Sequence, residues 1–464
     1  MRPIFFLPAA LVLCGAAAAQ SHDDSGRAWL AGDHHVHSEW SVDWDRSTTP
    51  PTPLRGGDSR YTRTRNARVA QRNGLRWMVH TDHGGPGHSM VTRDLAWPEL
   101  QRARRGVPGL IQFHGMEFDV PGAEHASLIV APGPQERDHQ FTIERDYSRG
   151  EPLAPGARDD GDLMLHALAH MRGLSPTPLM FVNHPSRTAT APGAWGEVEP
   201  EELRAWHVAA PQVLVGMEGA PGHQAAAAHR GLYRHADAPT FGGFDQMTAR
   251  VGGVWDGMLA HGHRFWITAT SDSHRNLREG GGDFDPGQYS KTYVWARPEA
   301  DDIMDGLREG RIFAVTGDLI DALQLTVRST RHREPAATMG GALQIEPGEP
   351  IRIELRIRRP APLNAHGRVP SLDHIDLILG QAAADGSLDM RVKRFDAGDW
   401  HPKGQWLTLR WDVKAPPQGG FVRVRGTNTA EYAPKADIAG EDPWSDLWFY
   451  SNPVFLQTDR RPET

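Results

Sequence analysis

The chain has 464 residues, of which 39% are hydrophobic and 23% charged, which excludes a disordered or collagen-like chain. Its 50 Lys and Arg residues against 58 Asp and Glu residues give a net charge of −8. With no strongly basic run, a nucleic-acid-binding surface has little support. Histidine is frequent, with 24 residues, and because imidazole is the commonest metal ligand this count directs attention to metal sites.

The first 19 residues are predicted to be a secretory signal peptide. Arg2 precedes an apolar run over residues 4–19, which is shorter than the ~20 residues needed to span a bilayer. The last three residues of the run, Ala17, Ala18 and Ala19, form an A-x-A cleavage pattern. Cys14, the only cysteine, follows Leu13, which is larger than the residue usual there in a lipoprotein signal. We therefore expect a secreted or periplasmic protein, cleaved after Ala19, with no lipid anchor, disulfide or membrane span.

Short apolar strands alternate with helices over residues 20–320. Strands are predicted at residues 76–79, 110–113, 127–130, 179–182, 213–215 and 265–268. Helices are predicted at residues 62–73, 162–172 and 301–308, each closed by a glycine one or two residues later. This alternation favours a mostly parallel α/β architecture.

The pattern changes near residue 320 to β-rich segments separated by Pro and Gly turns. These segments lie at residues 323–327, 351–357, 374–379, 406–413, 421–425 and 447–456. They predict a C-terminal antiparallel β-sandwich of roughly seven or eight strands over residues 321–464. The alternation of apolar and polar residues over 351–357 indicates one buried face. We expect this region to contribute no metal ligand, which applies to His332, His366, His374 and His401.

Candidate metal ligands occur at or near the ends of successive predicted strands. His35 and His37 are two residues apart in an extended segment, so their side chains project to the same side. The other candidates are Asp43, His83, Glu117, His125, His184, Asp272 and His274. In a parallel barrel such strand ends converge on one face. Nine ligands exceed what one ion needs and suit two or three metals bridged by carboxylates and hydroxide.

These motifs, in this order, resemble those of the PHP (polymerase and histidinol phosphatase) superfamily over roughly residues 28–320. They are His35-x-His37-Ser38, Thr81-Asp82-His83-Gly84, Gly115-x-Glu117, Asn183-His184-Pro185 and Ser271-Asp272-x-His274. The resemblance implies a distorted (β/α)7 barrel in which the nine residues bind divalent ions such as Zn, Mn or Fe, with Asp45 as the alternative to Asp43. The signal peptide and residues 292–296 and 451–454 are similar to the secreted CehA/McbA-like branch, which includes carbaryl hydrolases and proteins labelled as phosphoesterases.

We therefore expect an exported hydrolase in which a metal-activated hydroxide attacks a small-molecule phosphate ester. Arg187, and as a second candidate Arg275, is expected to grip the phosphate, and His184 or His274 to protonate the leaving group. Two alternatives are hydrolysis of an ester, amide or carbamate, and a non-catalytic PHP-fold binding protein. Asp82 is interpreted either as a residue that orients a ligand or as a cap of the following turn.

Overall fold

The computed structural model describes residues 26–49, 51–152, 159–222, 233–331, 335–360 and 362–458. The predicted signal peptide and His332 lie outside these described residues. Within the described ranges, no helix has both the length and the apolar character needed to cross a membrane.

The α-helices of the described residues all precede residue 310. They are α1 (Arg63–Arg72), α2 (His88–Val91), α3 (Trp97–Gly106), α4 (Glu136–Tyr147), α5 (Gly161–Arg172), α6 (Pro200–Ala209), α7 (Gln246–Ala249), α8 (Val254–Ala260) and α9 (Ala300–Arg308). The three predicted helices are α1, α5 and α9, within one residue at each end. Side chains fix two of their starts, because Thr62 accepts the amide of Arg65 and Asp160 accepts the amides of Asp162 and Leu163.

Eleven strands precede residue 320 in the described part of the chain. They are β1 (Ala28–Asp33), β2 (Asp43–Asp45), β3 (Thr52–Leu54), β4 (Trp77–His80), β5 (Ile111–Asp119), β6 (His125–Val130), β7 (Leu179–Val182), β8 (Leu214–Ala220), β9 (Trp266–Ala269), β10 (Ser290–Ala296) and β11 (Ile312–Thr316). The six predicted strands are β4 to β9. β5 and β8 run further than predicted, so Glu117 and Glu218 lie inside strands.

Nine of these strands form one mixed sheet in the order β11-β10-β1-β4-β5-β6-β7-β8-β9. The pairs β1–β4, β4–β5, β7–β8 and β8–β9 are parallel, whereas β6 is antiparallel to both β5 and β7. The expectation of a mostly parallel sheet is corrected here, since β10 is also antiparallel to β1 and β11. The reason at β6 is the short turn in which the Val120 amide donates to the Glu124 carbonyl, because a short turn joins only antiparallel strands.

β9, at one end of this strand order, lies close to β10, near the other end, beside β1. Thr292 of β10 exchanges two hydrogen bonds with the backbone of Ala269 in β9, at 2.9 and 2.8 Å. Val36 forms a parallel bridge with Ser273, and the His37 amide donates to the Ser273 carbonyl at 3.1 Å. The segment after β1 therefore lies directly beside the segment after β9, which brings their polar residues together.

The region after residue 320 is rich in strands, as predicted. They are β12 (Ala322–Ser329), β13 (Ala337–Thr338), β14 (Ala342–Ile345), β15 (Pro350–Arg358), β16 (His374–Ala382), β17 (Leu388–Asp396), β18 (His401–Lys403), β19 (Trp406–Lys414), β20 (Gly420–Thr427), β21 (Trp448–Ser451) and β22 (Val454–Thr458). Eleven strands in the described part exceed the seven or eight expected. One predicted strand, 447–456, is divided into β21 and β22 around Asn452 and Pro453, since proline cannot donate to a ladder.

These strands belong to two sheets that share a core. One is antiparallel, in the order β13-β12-β15-β19-β18, and the other contains β14, β22, β20 and β21, with β16 and β17 attached to β20. Ile353 and Leu355 of β15 are buried in the same cluster as Leu377 and Val424, which confirms the buried face expected from their alternation. β14 and β22 are parallel, so the predicted antiparallel sandwich is not wholly antiparallel. A short hairpin joins only antiparallel strands, but β14 and β22 are far apart in the chain and can therefore pair in parallel.

The second of these sheets is continuous with the mixed sheet of the first region. β21 pairs with β11, where Phe313 lies opposite Ser451. Trp448 and Tyr450 of β21 are buried in the same hydrophobic cluster as Trp266 of β9. The predicted boundary at residue 320 therefore falls between two strands of regions that share both a sheet and a core.

Candidate metal centre

The first group of potential ligands consists of His35, His37 and Asp272, all buried. The Nε2 atoms of His35 and His37 lie 3.0 Å apart, and Asp272 Oδ1 lies 3.1 and 3.2 Å from them. The other ring nitrogen of each histidine, Nδ1, is hydrogen-bonded to a neighbouring side chain. His35 Nδ1 donates to Glu218 at 2.7 Å, and His37 Nδ1 lies 2.8 Å from Ser41 Oγ. These bonds fix the tautomers so that both Nε2 lone pairs face the centre.

The second group consists of Glu117 in β5, His125 at the start of β6 and His184 after β7. Glu117 Oε1 lies 2.9 Å from His125 Nδ1 and 3.0 Å from His184 Nε2. The same oxygen lies 3.3 Å from His35 Nε2, so Glu117 stands between the first and second groups. His184 has a φ of 26°, an unusual backbone value for a residue other than glycine, and its amide donates to Glu218 at 2.7 Å.

The third group consists of His37, Asp58, His83 and His274. Asp58 Oδ2 lies 3.0 Å from the Nε2 atoms of both His83 and His274. The rings of His37 and His274 stack with centroids 3.7 Å apart. Because His37 belongs to this group and to the first, the three groups form one continuous cluster.

Eight of the nine candidate ligands lie in these groups, and the exception is Asp43. Asp43 is exposed on β2, in the small hairpin with β3, and lies in none of the three groups. Asp45, the alternative, is also on β2, where its carboxylate accepts the amide and hydroxyl of Ser47. The side chain of Asp43 lies beside Gly57, and the following residue, Asp58, is the carboxylate that belongs to the third group. Motif spacing did not indicate Asp58, because the segment 38–61 has no periodic pattern.

Glu218 is a functional candidate that the sequence analysis missed. It is fully buried in β8 and accepts hydrogen bonds from His35 Nδ1, the His184 amide and Thr270 Oγ1. It therefore orients a histidine in each of two groups. A signal was present, since Gly216-Met217-Glu218 repeats the tripeptide Gly115-Met116-Glu117.

Asp82 acts on the centre through serine rather than by capping a turn. It accepts the hydroxyls of Ser38, at 2.9 Å, and Ser41, at 3.2 Å, and pairs with the buried guanidinium of Arg63 at 2.7 Å. Ser41 donates to Asp82 and therefore accepts from His37 Nδ1. Of the two interpretations of Asp82, the orienting one matches these contacts, although the residue oriented is His37 and not the adjacent His83.

The two candidate arginines differ in location. Arg187 donates to the fully buried Glu124, which also pairs with Arg234 at 2.8 Å, so two guanidinium groups lie beside the second group. Arg275 donates instead to the carbonyl of Glu279, at 2.7 and 3.1 Å, within its own loop. Arg187 is therefore the arginine positioned next to the candidate ligands.

Carboxylates and burial act in opposite directions on the histidines of the cluster. Burial and the neighbouring His274 lower the pKa of His37 to about 4, and burial and Arg187 lower the pKa of His184. Burial would raise the pKa of Glu117, but the facing His125 and His35 hold it well below its usual value. Burial would lower the pKa of His125, but Glu117 and Asp119 raise it to about 10. Likewise Asp272 and Asp58 overcome burial and raise the pKa of His274 to about 9. Such a concentration of ionised carboxylates stabilises positive charge in the cluster.

The chemistry of the donors fits divalent cations. Imidazole nitrogen and carboxylate oxygen are ligands that suit Zn, Mn and Fe. In each group the ligand atoms all lie within 4.8 Å of one another, and second contacts fix several of them. Several His, Asp and Glu groups of this chain can therefore hold metal ions.

Comparisons with known proteins add no identification. The chain matches no protein-family model, and a search of curated proteins finds no match.

Proposed function

We propose that this protein is an exported, multi-metal-dependent hydrolase whose main substrates are phosphate esters. The observation that carries the proposal is the continuity of the three ligand groups: His37 belongs to the first and the third, and Glu117 of the second contacts His35 of the first. We interpret the mixed sheet, whose flanks meet beside β1, as a distorted (β/α)7 barrel of the PHP type, followed by a β-sandwich.

Side chains around the three groups orient the candidate ligand atoms in the absence of substrate. Glu218 and Ser41 hold His35 and His37 so that their Nε2 atoms face Asp272. Two or three divalent ions bound in the three groups would activate water as a nucleophile and stabilise the charge that develops in the reaction. His184 and His274 both direct Nε2 toward carboxylates of the groups, which favours a ligand role over protonation of the leaving group.

Arg187 supports a phosphate ester as the substrate class. Its guanidinium lies beside the second group, and the surrounding carboxylates Glu124 and Glu117 overcome burial and raise its pKa, so it stays charged. Arg234 adds a second cation at the same carboxylate. A guanidinium recognises phosphate oxygens through paired, charge-assisted hydrogen bonds.

The pairing of Arg187 also favours a second candidate function, hydrolysis of an ester, amide or carbamate. The hydrogen bond to buried Glu124 neutralises part of the positive charge that a phosphate would need. A neutral carbonyl substrate would not require that charge, and the same metal groups would serve its hydrolysis.

The test is a hydrolysis screen on protein loaded with Mn, Zn or Fe. Aryl phosphate monoesters and diesters are compared with aryl esters and carbamates, and Glu117→Gln serves as the inactive control. We expect turnover of phosphate esters that requires metal and is lost in the variant. Turnover of carbonyl substrates alone would favour the second candidate, and a protein that binds no metal would refute both.

A further inference from the structure

The backbone that carries His184 is fixed by a buried carboxylate, Asp245. His184 has its unusual φ of 26° at the start of a turn in which the Arg187 amide donates to the His184 carbonyl. Ser186, within this turn, donates its amide and its hydroxyl to the two carboxylate oxygens of Asp245, at 3.0 and 2.8 Å. The turn that begins at His184 is therefore tied to Asp245.

Asp245 follows a tight turn that spans residues 240–244. Phe241 and Phe244 exchange backbone hydrogen bonds at 2.7 and 3.0 Å, and both residues between them have positive φ. Gly242, with φ of 54°, lies so close to the Trp448 indole that a side chain at this position would collide with it. The turn is therefore pressed against β21 of the β-rich region.

The tip of this turn is bound by Asp437, which also comes from the β-rich region. The amides of Gly242 and Gly243 donate to the two oxygens of Asp437 at 2.8 and 2.9 Å, and Thr240 Oγ1 donates at 2.6 Å. In return the Asp437 amide donates to the Thr240 carbonyl at 2.9 Å. Asp437 is only 5% exposed, so these bonds are shielded from water. A carboxylate held by consecutive backbone amides is a strong and directional anchor.

We propose that Asp437 is a positioning residue for His184. Through the 240–244 turn, Asp245 and Ser186, it couples the β-rich C-terminal region to the second ligand group. The inference rests on the proposed role of His184 as a metal ligand, and it assigns the C-terminal region a part in assembling the centre.

The test compares Asp437→Ala with a matched variant of another buried contact between the same regions. Asp256 of α8 pairs with Arg423 of β20 at 2.6 and 2.8 Å but does not contact the 240–244 turn through this pair. Asp256→Asn therefore disturbs the interface without releasing Asp437. Thr240→Val, which removes one of the three hydrogen bonds, is a milder variant should Asp437→Ala fail to fold.

Hydrogen exchange of the metal-free full chain is the first measurement, since it does not depend on the proposed activity. We expect faster exchange at residues 183–188 and 240–246 in Asp437→Ala, and in Asp256→Asn a change confined to the surroundings of α8 and β20. Unchanged exchange at 183–188 in Asp437→Ala would overturn the proposal, whether or not the wild type binds metal.

Titration with Mn²⁺ is the second measurement. Loss of a side chain that contacts a metal ligand directly typically lowers metal affinity by roughly 10- to 100-fold. Because Asp437 acts on His184 only through the 240–244 turn, Asp245 and Ser186, one metal equivalent should weaken by about 10-fold, the lower end of this range, in Asp437→Ala and not in Asp256→Asn. If Asp437→Ala binds every equivalent of Mn²⁺ with the same affinity as the wild type, the proposal is contradicted. Absence of binding in the wild type would instead refute the proposed function, leaving the exchange result to decide whether Asp437 positions the His184 turn.

Discussion

At the scale of single residues, the centre depends on which nitrogen and oxygen atoms the surrounding side chains leave available. His35 and His37 each give one ring nitrogen to a buried neighbour and the other to the centre. Asp58 contacts two histidines at once, although nothing in the motif pattern singled it out. The identity of each carboxylate is therefore testable by substitution.

Asp58→Asn is expected to weaken one metal equivalent by at least about tenfold, because an amide replaces an anionic ligand. Asp43→Asn is the matched control, since Asp43 is exposed and lies in none of the three groups, so its substitution should leave metal binding unchanged. Metal content after dialysis, measured by mass spectrometry, distinguishes the two variants. The reverse outcome, loss of metal in Asp43→Asn alone, would favour Asp43, the ligand expected from the sequence.

Arg187→Ala is expected to lower kcat/KM for aryl phosphates by roughly 10- to 100-fold, the cost of losing a hydrogen bond to a charged group. Arg275→Ala is the control, because its guanidinium binds the Glu279 carbonyl in its own loop. Steady-state kinetics on a phosphate and on a carbamate test this. Equal losses on both substrates would show that Arg187 supports the fold of the site and does not bind phosphate.

The sequence was informative about ligands within short motifs and uninformative about ligands within loops. His35, His37, Glu117 and His184 belong to compact motifs at strands, so their spacing alone indicated convergence. Asp58 follows an irregular hairpin, where spacing carries no information about position. Glu218 was accessible in principle, but its repeated tripeptide becomes meaningful only once β5 and β8 are known to belong to one sheet.

At the scale of elements, a buried ion pair joins the two helices α2 and α4 near the centre. His88 Nδ1 donates to Glu144 at 2.6 Å, and His88 Nε2 donates to the Trp40 carbonyl at 2.7 Å. An imidazole that donates from both nitrogens is the charged form. Burial would lower the pKa of His88, but Glu144 raises it to about 9.

Stability should therefore depend on pH through His88. Its pKa in the folded protein, about 9, is above the usual 6.5, so its contribution of roughly 3 kcal/mol is present below pH 6.5 and is lost as pH rises through 9. We expect the difference in unfolding free energy between the metal-loaded wild type and His88→Gln to shrink over this range. A difference that stays constant from pH 6 to pH 10 would show that His88 is not charged in the fold.

Element positions were largely predictable, whereas strand directions were not. Apolar runs and closing glycines located α1, α5, α9 and the strands β4 to β9. Parallel and antiparallel strands can carry the same apolar run, so the sequence did not reveal that β6 is antiparallel to both neighbours. The parallel pairing of β14 with β22 joins distant segments and is likewise invisible to a local pattern.

At the scale of the whole molecule, the two predicted regions are coupled. β11 and β21 continue one sheet across the boundary, and Trp448 is fully buried among residues of the first region. The change of pattern near residue 320 does not reveal the pairing between β11 and β21, because that pairing depends on contacts remote in sequence. Local sequence patterns therefore predicted two separate regions, whereas the structure joins them through one sheet.

This coupling predicts a single cooperative unfolding transition for the full chain. Because the regions share a sheet and a core, neither should unfold while the other stays intact. Scanning calorimetry should give one peak whose calorimetric and van't Hoff enthalpies agree. Two separated peaks would show that residues on either side of 320 are independent units.

The proposed function depends on whether the three adjoining groups of His, Asp and Glu bind divalent metals. Anomalous diffraction from crystals of the full protein grown with Mn²⁺, with data collected near the manganese edge, tests it most directly. We expect two or three peaks, each next to the side chains of one of the three groups that contain His35, Glu117 and Asp58. Crystals that give no anomalous peak within coordination distance of any of these groups would contradict it.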